Sequence, residues 1–118
     1  MRGSCLCGQV VFQLHGPLRP AIACHCEQCR KQTGNFWVAS SVAEEGLELL
    51  RDDGLAWFNA SPHAKRGFCK NCGSFLFWNP ERAARYAVAV GALDEPHDLR
   101  LSRHIYVEEK GAFYDIAD

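Results

Sequence analysis

The chain has 118 residues, 47% hydrophobic and 23% charged, values that exclude a disordered chain and suit a single domain over residues 1–118. Its 13 basic and 14 acidic side chains leave a formal charge of −1, too weak a field to gather nucleic-acid phosphates. No apolar run reaches the roughly 20 residues of a membrane-spanning helix, and "MRGSCLCG" has no hydrophobic leader, so the expectation is a cytoplasmic protein with neither nucleic-acid nor membrane partners.

Along the chain, short apolar, aromatic and β-branched runs follow one another: "VVFQL" from Val10, "FWVASSV" from Phe36, "LAWFN" from Leu55, "FLFW" from Phe75, "YAVAV" from Tyr86 and "HIYV" from His104. Gly, Pro, Asn and Asp break them at intervals that predict an all-β, mainly antiparallel fold. "GPLRP" at Gly16 to Pro20 separates the first strand from the segment leading to Cys24. "EQCRKQTG" is the best helical stretch, with Glu27 and Gln28 early, Arg30 and Lys31 late, and Gly34 placed to end it. "DDG" at Asp52 to Gly54 reads as a tight turn joining "LELLR" to "LAWFN" in a meander. "NPERAARY" from Asn79 reads as a second short helix or a wide turn.

Seven cysteines is an odd number for a disulfide scaffold, and in a chain without an export signal clustered thiols point to metal binding or reactivity. They divide into four and three. Cys5 and Cys7 are two apart, so in an extended segment both face one way. Cys69 and Cys72 form a C-x-x-C turn, and each pair is followed directly by a glycine, Gly8 or Gly73, able to take the positive φ of a metal knuckle. Together they match a closed tetrahedral zinc site stapling the start of the chain to a late hairpin across 61 intervening residues. The alternative is a chance pattern or a redox dithiol.

Cys24, Cys26 and Cys29 in "CHCEQC" are one ligand short of tetrahedral, and three protein ligands with one open position is the arrangement of catalytic zinc. Three thiolates on Zn²⁺ make a poor Lewis acid for a carbonyl, but such a centre holds a further thiolate well. Two other readings stand beside it: a second closed structural site completed by a histidine, and a metal-free redox trio. His25 is badly placed as a ligand, because Cys24 and Cys26 share one strand face and it takes the other.

"GSCLCG", "CHCEQCRKQTG" and "FCKNCGSFLFW", in this order, resemble the glutathione-dependent formaldehyde-activating enzyme family, which includes centromere protein V. The likeness runs from Gly3 to the closing "HIYVEEKGAFYDIAD". It implies a β-tent fold, a structural zinc at Cys5, Cys7, Cys69 and Cys72, and a catalytic zinc at Cys24, Cys26 and Cys29. The activity it implies is a carbon–sulfur lyase reaction, condensing glutathione with formaldehyde to S-(hydroxymethyl)glutathione. Members commonly continue past the aspartate matching Asp118, where a trimmed edge is expected to loosen the closing strand.

These readings combine into an expected mechanism. A small thiol, glutathione above all, binds the open zinc position and attacks an aldehyde, and His25 supplies the proton. Arg30 and Lys31, together with Lys65 and Arg66, are candidates for gripping the carboxylates of glutathione, and Phe36 or Trp37 for walling the pocket. The competing function is a non-catalytic zinc-binding interaction module with two structural metal sites; a third is a dithiol redox enzyme.

Overall fold

The computed structural model describes residues 1–117; Asp118, where the expected departure from the family falls, lies outside them. The strands are β1 (Arg2–Ser4), β2 (Val11–Leu14), β3 (Ala21–Cys24), β4 (Trp37–Ala43), β5 (Leu47–Arg51), β6 (Leu55–Ser61), β7 (Ala64–Cys69), β8 (Phe75–Pro80), β9 (Arg85–Ala89) and β10 (Leu101–Ile105). One α-helix, α1 (Glu27–Thr33), follows β3. A three-stranded sheet runs β1-β2-β5 and a seven-stranded sheet runs β10-β3-β4-β9-β8-β7-β6. Every neighbouring pair is antiparallel except β10 on β3, which is parallel. The expected mainly antiparallel fold with a short helix is what forms.

The helix ends as its sequence dictates. Gly34 takes φ 81°, and its N–H returns to the Arg30 carbonyl. Such a left-handed C-cap is open to glycine at no cost. The stretch from Asn79 is a wide turn rather than a helix: Asn79 and Pro80 finish β8, and Arg85 opens β9.

The "DDG" turn forms, with the Leu55 N–H donating to the Asp52 carbonyl at 3.0 Å, but it does not make the expected meander. β5 pairs with β2 and β6 with β7, so the two strands beside the turn belong to different sheets. The reason lies in Gly54. Its N–H donates to the Gln9 carbonyl (3.2 Å) and its carbonyl accepts from the Lys70 N–H (2.7 Å), so the turn ties the two cysteine knuckles together.

Phe12 on β2, Val42 on β4, Phe77 on β8 and Val88 on β9 belong to one fully buried cluster. The Phe12 and Phe77 rings meet edge-on with centroids 5.1 Å apart, a favourable aromatic geometry. Paired residues in a sheet share a face. The register therefore lays Ile105 beside Cys24 and Cys24 beside Trp37. Further across, Ser41 lies beside Ala87, Ala87 beside Trp78 and Trp78 beside Arg66. That face carries the site.

Candidate metal centres and the groove beside them

The four sulfurs of Cys5, Cys7, Cys69 and Cys72 lie within 4.8 Å of one another. Cys7 Sγ is 3.7 Å from both Cys5 Sγ and Cys69 Sγ. Four sulfurs at ~2.3 Å from a tetrahedral zinc stand about 3.8 Å apart, so this donor set fits the ion. Both knuckles close by the same device: Gly8 and Gly73 each adopt φ 82°. Backbone and side-chain donors face the sulfurs, Val10 N–H toward Cys5 and Asn71 Nδ2 toward Cys7, each at 3.3 Å. The Ser74 hydroxyl beside Cys72 holds that thiol down, to about 5, whereas burial pushes Cys69 up, to about 11.

The sulfurs of Cys24, Cys26 and Cys29 also converge within 4.8 Å. No fourth Cys, His, Asp or Glu ligand atom joins them among the described residues. Cys24 ends β3, Cys26 is the N-cap of α1 with its sulfur 3.4 Å from the Cys29 N–H, and Cys29 is buried in the first turn. A hydrogen bond from Cys24, with the guanidinium of Arg66 helping against burial, brings the Cys29 thiol down to about 6; the same pairing and burial push Cys24 up. Three thiol side chains with a thiolate already favoured suit a soft or borderline cation such as zinc.

Arg66 is the residue that sequence alone could not single out. It is buried, with Nη1 3.5 Å from Cys29 Sγ and 2.9 Å from Gln32 Oε1, and its guanidinium lies 5.2 Å from the Phe75 ring centre. Its Nε is buried without a hydrogen-bond partner among the described residues, and no carboxylate lies within ion-pairing distance of it there. A buried cation lacking a carboxylate has the trio as its counter-charge. Neighbouring Lys65 turns the other way, its Nζ 4.4 Å from the Trp57 ring centre.

The trio and Arg66 stand on the wall of a cavity of about 420 Å³, with Trp37, Trp78 and Tyr106 among its other sides. Trp37 faces the cavity; Phe36 packs on the other side against His25, ring centres 4.8 Å apart. His25 is buried away from the cavity walls, with Nδ1 2.6 Å from the Tyr114 hydroxyl and Nε2 2.9 Å from His104 Nδ1. Burial and the nearby His104 and Lys110 push its pKa down, keeping the ring neutral. The proton-donor expectation for His25 therefore meets a geometric obstacle: both ring nitrogens are engaged behind the trio. Arg30 and Lys31 lie on α1 outside the cavity walls, and Lys31 pairs with Glu27 at 3.6 Å on an exposed helix face. Tyr106, Trp78 and Glu109 enter the site without having been anticipated. Tyr106, at φ 54°, is the one non-glycine residue with positive φ among those described.

Known proteins resemble this chain in sequence and in fold. The chain is similar to an uncharacterized lyase of Schizosaccharomyces pombe, 23% identical over 117 residues that cover 98% of this chain and 85% of the relative. Its fold is similar to a crystal structure of a Rhodobacter sphaeroides protein, with TM-score 0.72 and 26% identity over 88% of this chain and 99% of that one. A family model matches residues 1–109, spanning both cysteine clusters, and by that match the chain belongs to the glutathione-dependent formaldehyde-activating enzyme family.

Proposed function

We propose that the protein is a zinc-dependent carbon–sulfur lyase that joins a small thiol, glutathione in the first instance, to formaldehyde or another small aldehyde. Family membership and the lyase-named relative support a lyase-type enzyme. The observation that carries the finer reading is the contrast between the clusters: four sulfurs enclose one site, while three sulfurs on a cavity wall leave the other open on one side. Zinc held by Cys24, Cys26 and Cys29 would supply a position at which a thiol binds as its thiolate, the nucleophilic form.

The chain's own residues provide the rest. Arg66 offsets the negative charge that three thiolates accumulate, so an approaching anion meets less repulsion. Trp37 and Trp78 give apolar walls that exclude water from a bound aldehyde. Addition forms one carbon–sulfur bond, and the carbonyl oxygen takes up a proton equivalent to the one the thiol gave up. Tyr106, Glu27 and Glu109 line the same cavity and carry groups of the kind that can relay it. His25, held by Tyr114 and His104, supports the corner between Cys24 and Cys26 from behind. A chemistry of free thiols suits a reducing compartment, which supports a cytoplasmic setting.

The test is the rate of adduct formation from glutathione and carbon-13 formaldehyde, followed by exchange NMR. Zinc-loaded wild-type protein should accelerate it. Cys26→Ser should return it to the uncatalysed rate while retaining one zinc per chain and a cooperative melt. Equal acceleration by both proteins would overturn the role given to the trio. A Cys26→Ser chain that unfolds would make the trio structural and favour the interaction-module function.

A further inference from the structure

The cavity beside the trio does not end there. Ile22, Ala39, Trp78 and Ala87 also line a second hollow of about 340 Å³, whose far side is formed by Arg19, Pro20 and Arg103 with serines 40, 41 and 102. The two hollows are one groove sharing a floor, because the four residues common to both occupy one face of the seven-stranded sheet: Ile22 lies two residues from Cys24 on β3 and pairs with Ala39, Trp78 pairs with Ala87, and Arg103 pairs with Ile22. At about 3.3 Å per strand residue, Ile22 is about 7 Å from Cys24 and Pro20 about 13 Å.

Charge is divided along this groove. Glu27 and Glu109 stand at the trio end, where the buried Arg66 faces Cys29, and Arg19 and Arg103 stand at the far end. Among the described residues neither arginine has a carboxylate within ion-pairing distance. The backbone of Arg19 is nonetheless fixed: its N–H donates to the Ser41 carbonyl at 3.2 Å and its carbonyl accepts from the Ser40 hydroxyl. Arg103 is carried by β10, and beside it the Ser102 hydroxyl donates to the Ala21 carbonyl at 3.0 Å. Two exposed guanidinium groups are thus carried on fixed backbone at one end of a groove whose other end holds the sulfur cluster.

We propose that Arg19 and Arg103 form a carboxylate subsite that selects an elongated, peptide-like thiol whose acidic end lies about 7–13 Å from its sulfur. The assignment rests on the thiolate reading of the trio and adds its specificity. Apolar Ile22, Ala39 and Trp78 carry the backbone of such a ligand between the two ends, and the acidic pair at the near end suits an ammonium group on it. Two exposed arginine–carboxylate contacts justify a selectivity of about tenfold.

The experiment is calorimetric titration of the zinc-loaded protein at low ionic strength, where exposed ion pairs are least screened. Glutathione, its diethyl ester and 2-mercaptoethanol are compared on the wild type and on the double variant Arg19→Gln/Arg103→Gln. Glutathione should bind the wild type about tenfold tighter than its diester. In the double variant that preference should disappear, while 2-mercaptoethanol, which has no tail, binds both proteins alike. Retained preference in the double variant, or equal loss of all three thiols, overturns the subsite while leaving the trio's role intact. Failure of every thiol to bind the wild type overturns the thiolate reading, and the subsite with it.

Discussion

Gly54 sits where the two knuckles of the four-cysteine cluster meet, and Gly54→Ala tests whether that cluster is a metal cage. A Cβ built there would lie 2.7 Å from Cys69 Sγ and 3.0 Å from Gln9 Cβ. Carbon contacts become comfortable from about 3.5 Å, so something must move by roughly 0.8 Å. The glycine backbone cannot retreat, being held by Gln9 on one side and Lys70 on the other. Metal–ligand distances tolerate only about 0.2 Å. The strain of such overpacking is about 1–3 kcal/mol, which in a domain of this size lowers the melting temperature by roughly 4–15 °C. Zinc per chain, measured by mass spectrometry after purification, should fall in the same samples. Full zinc content together with an unchanged melt would refute the argument that Cys69 is held in position against Gly54.

Three further outcomes are expected. Arg66→Met should weaken zinc binding at the trio by about tenfold or more in chelator competition, since a contact to a charged group is worth ~1.5–3 kcal/mol, and leave the four-cysteine site loaded; unchanged affinity would deny Arg66 its role as counter-charge. Cys69→Ser should abolish cooperative unfolding altogether, because binding energy at a structural metal site is folding energy, and a folded variant with one zinc would contradict it. Tyr114→Phe, which deletes the hydroxyl 2.6 Å from His25 Nδ1, should cost about 1 kcal/mol of stability. Its melting curve should shift while the zinc count stays the same; a loss of zinc would mean that the support behind the trio governs ligation directly.

Much of the fold is local and therefore legible: β-branched and aromatic runs at "VVFQL", "FWVASSV" and "FLFW" are strands, and the helix stops at Gly34. What escaped has long-range causes. Arg2–Ser4 contains no apolar residue to announce a strand, and it pairs with β2 because chain geometry brings it there. Leu47–Arg51 and Leu55–Ser61 look like the arms of a hairpin, yet the backbone of Gly54 is spent on Gln9 and Lys70. The cysteine clusters were readable because ligand spacing survives in the sequence. Arg66 was not, since Lys65 and Arg66 are equivalent until strand alternation buries one beside Cys29 and leaves the other over Trp57. The far end of the groove depends on β10 lying parallel to β3, a pairing between segments about eighty residues apart that no local pattern encodes.

The unequal reach of the two sulfur clusters has a consequence during biosynthesis. Cys24, Cys26 and Cys29 occupy a span of six residues, so all three thiols are available as soon as that stretch leaves the ribosome. Cys5 and Cys7 emerge earlier yet stay half-matched until Cys72 appears, 43 residues after Cys29, which at 5–20 residues per second is a wait of roughly 2–9 s. Translation would thereby order the supply of ligands: the three local thiols are available on an unfinished chain before Arg66, His104 and Tyr114 arrive to support them, and the four-cysteine set is complete only with Cys72.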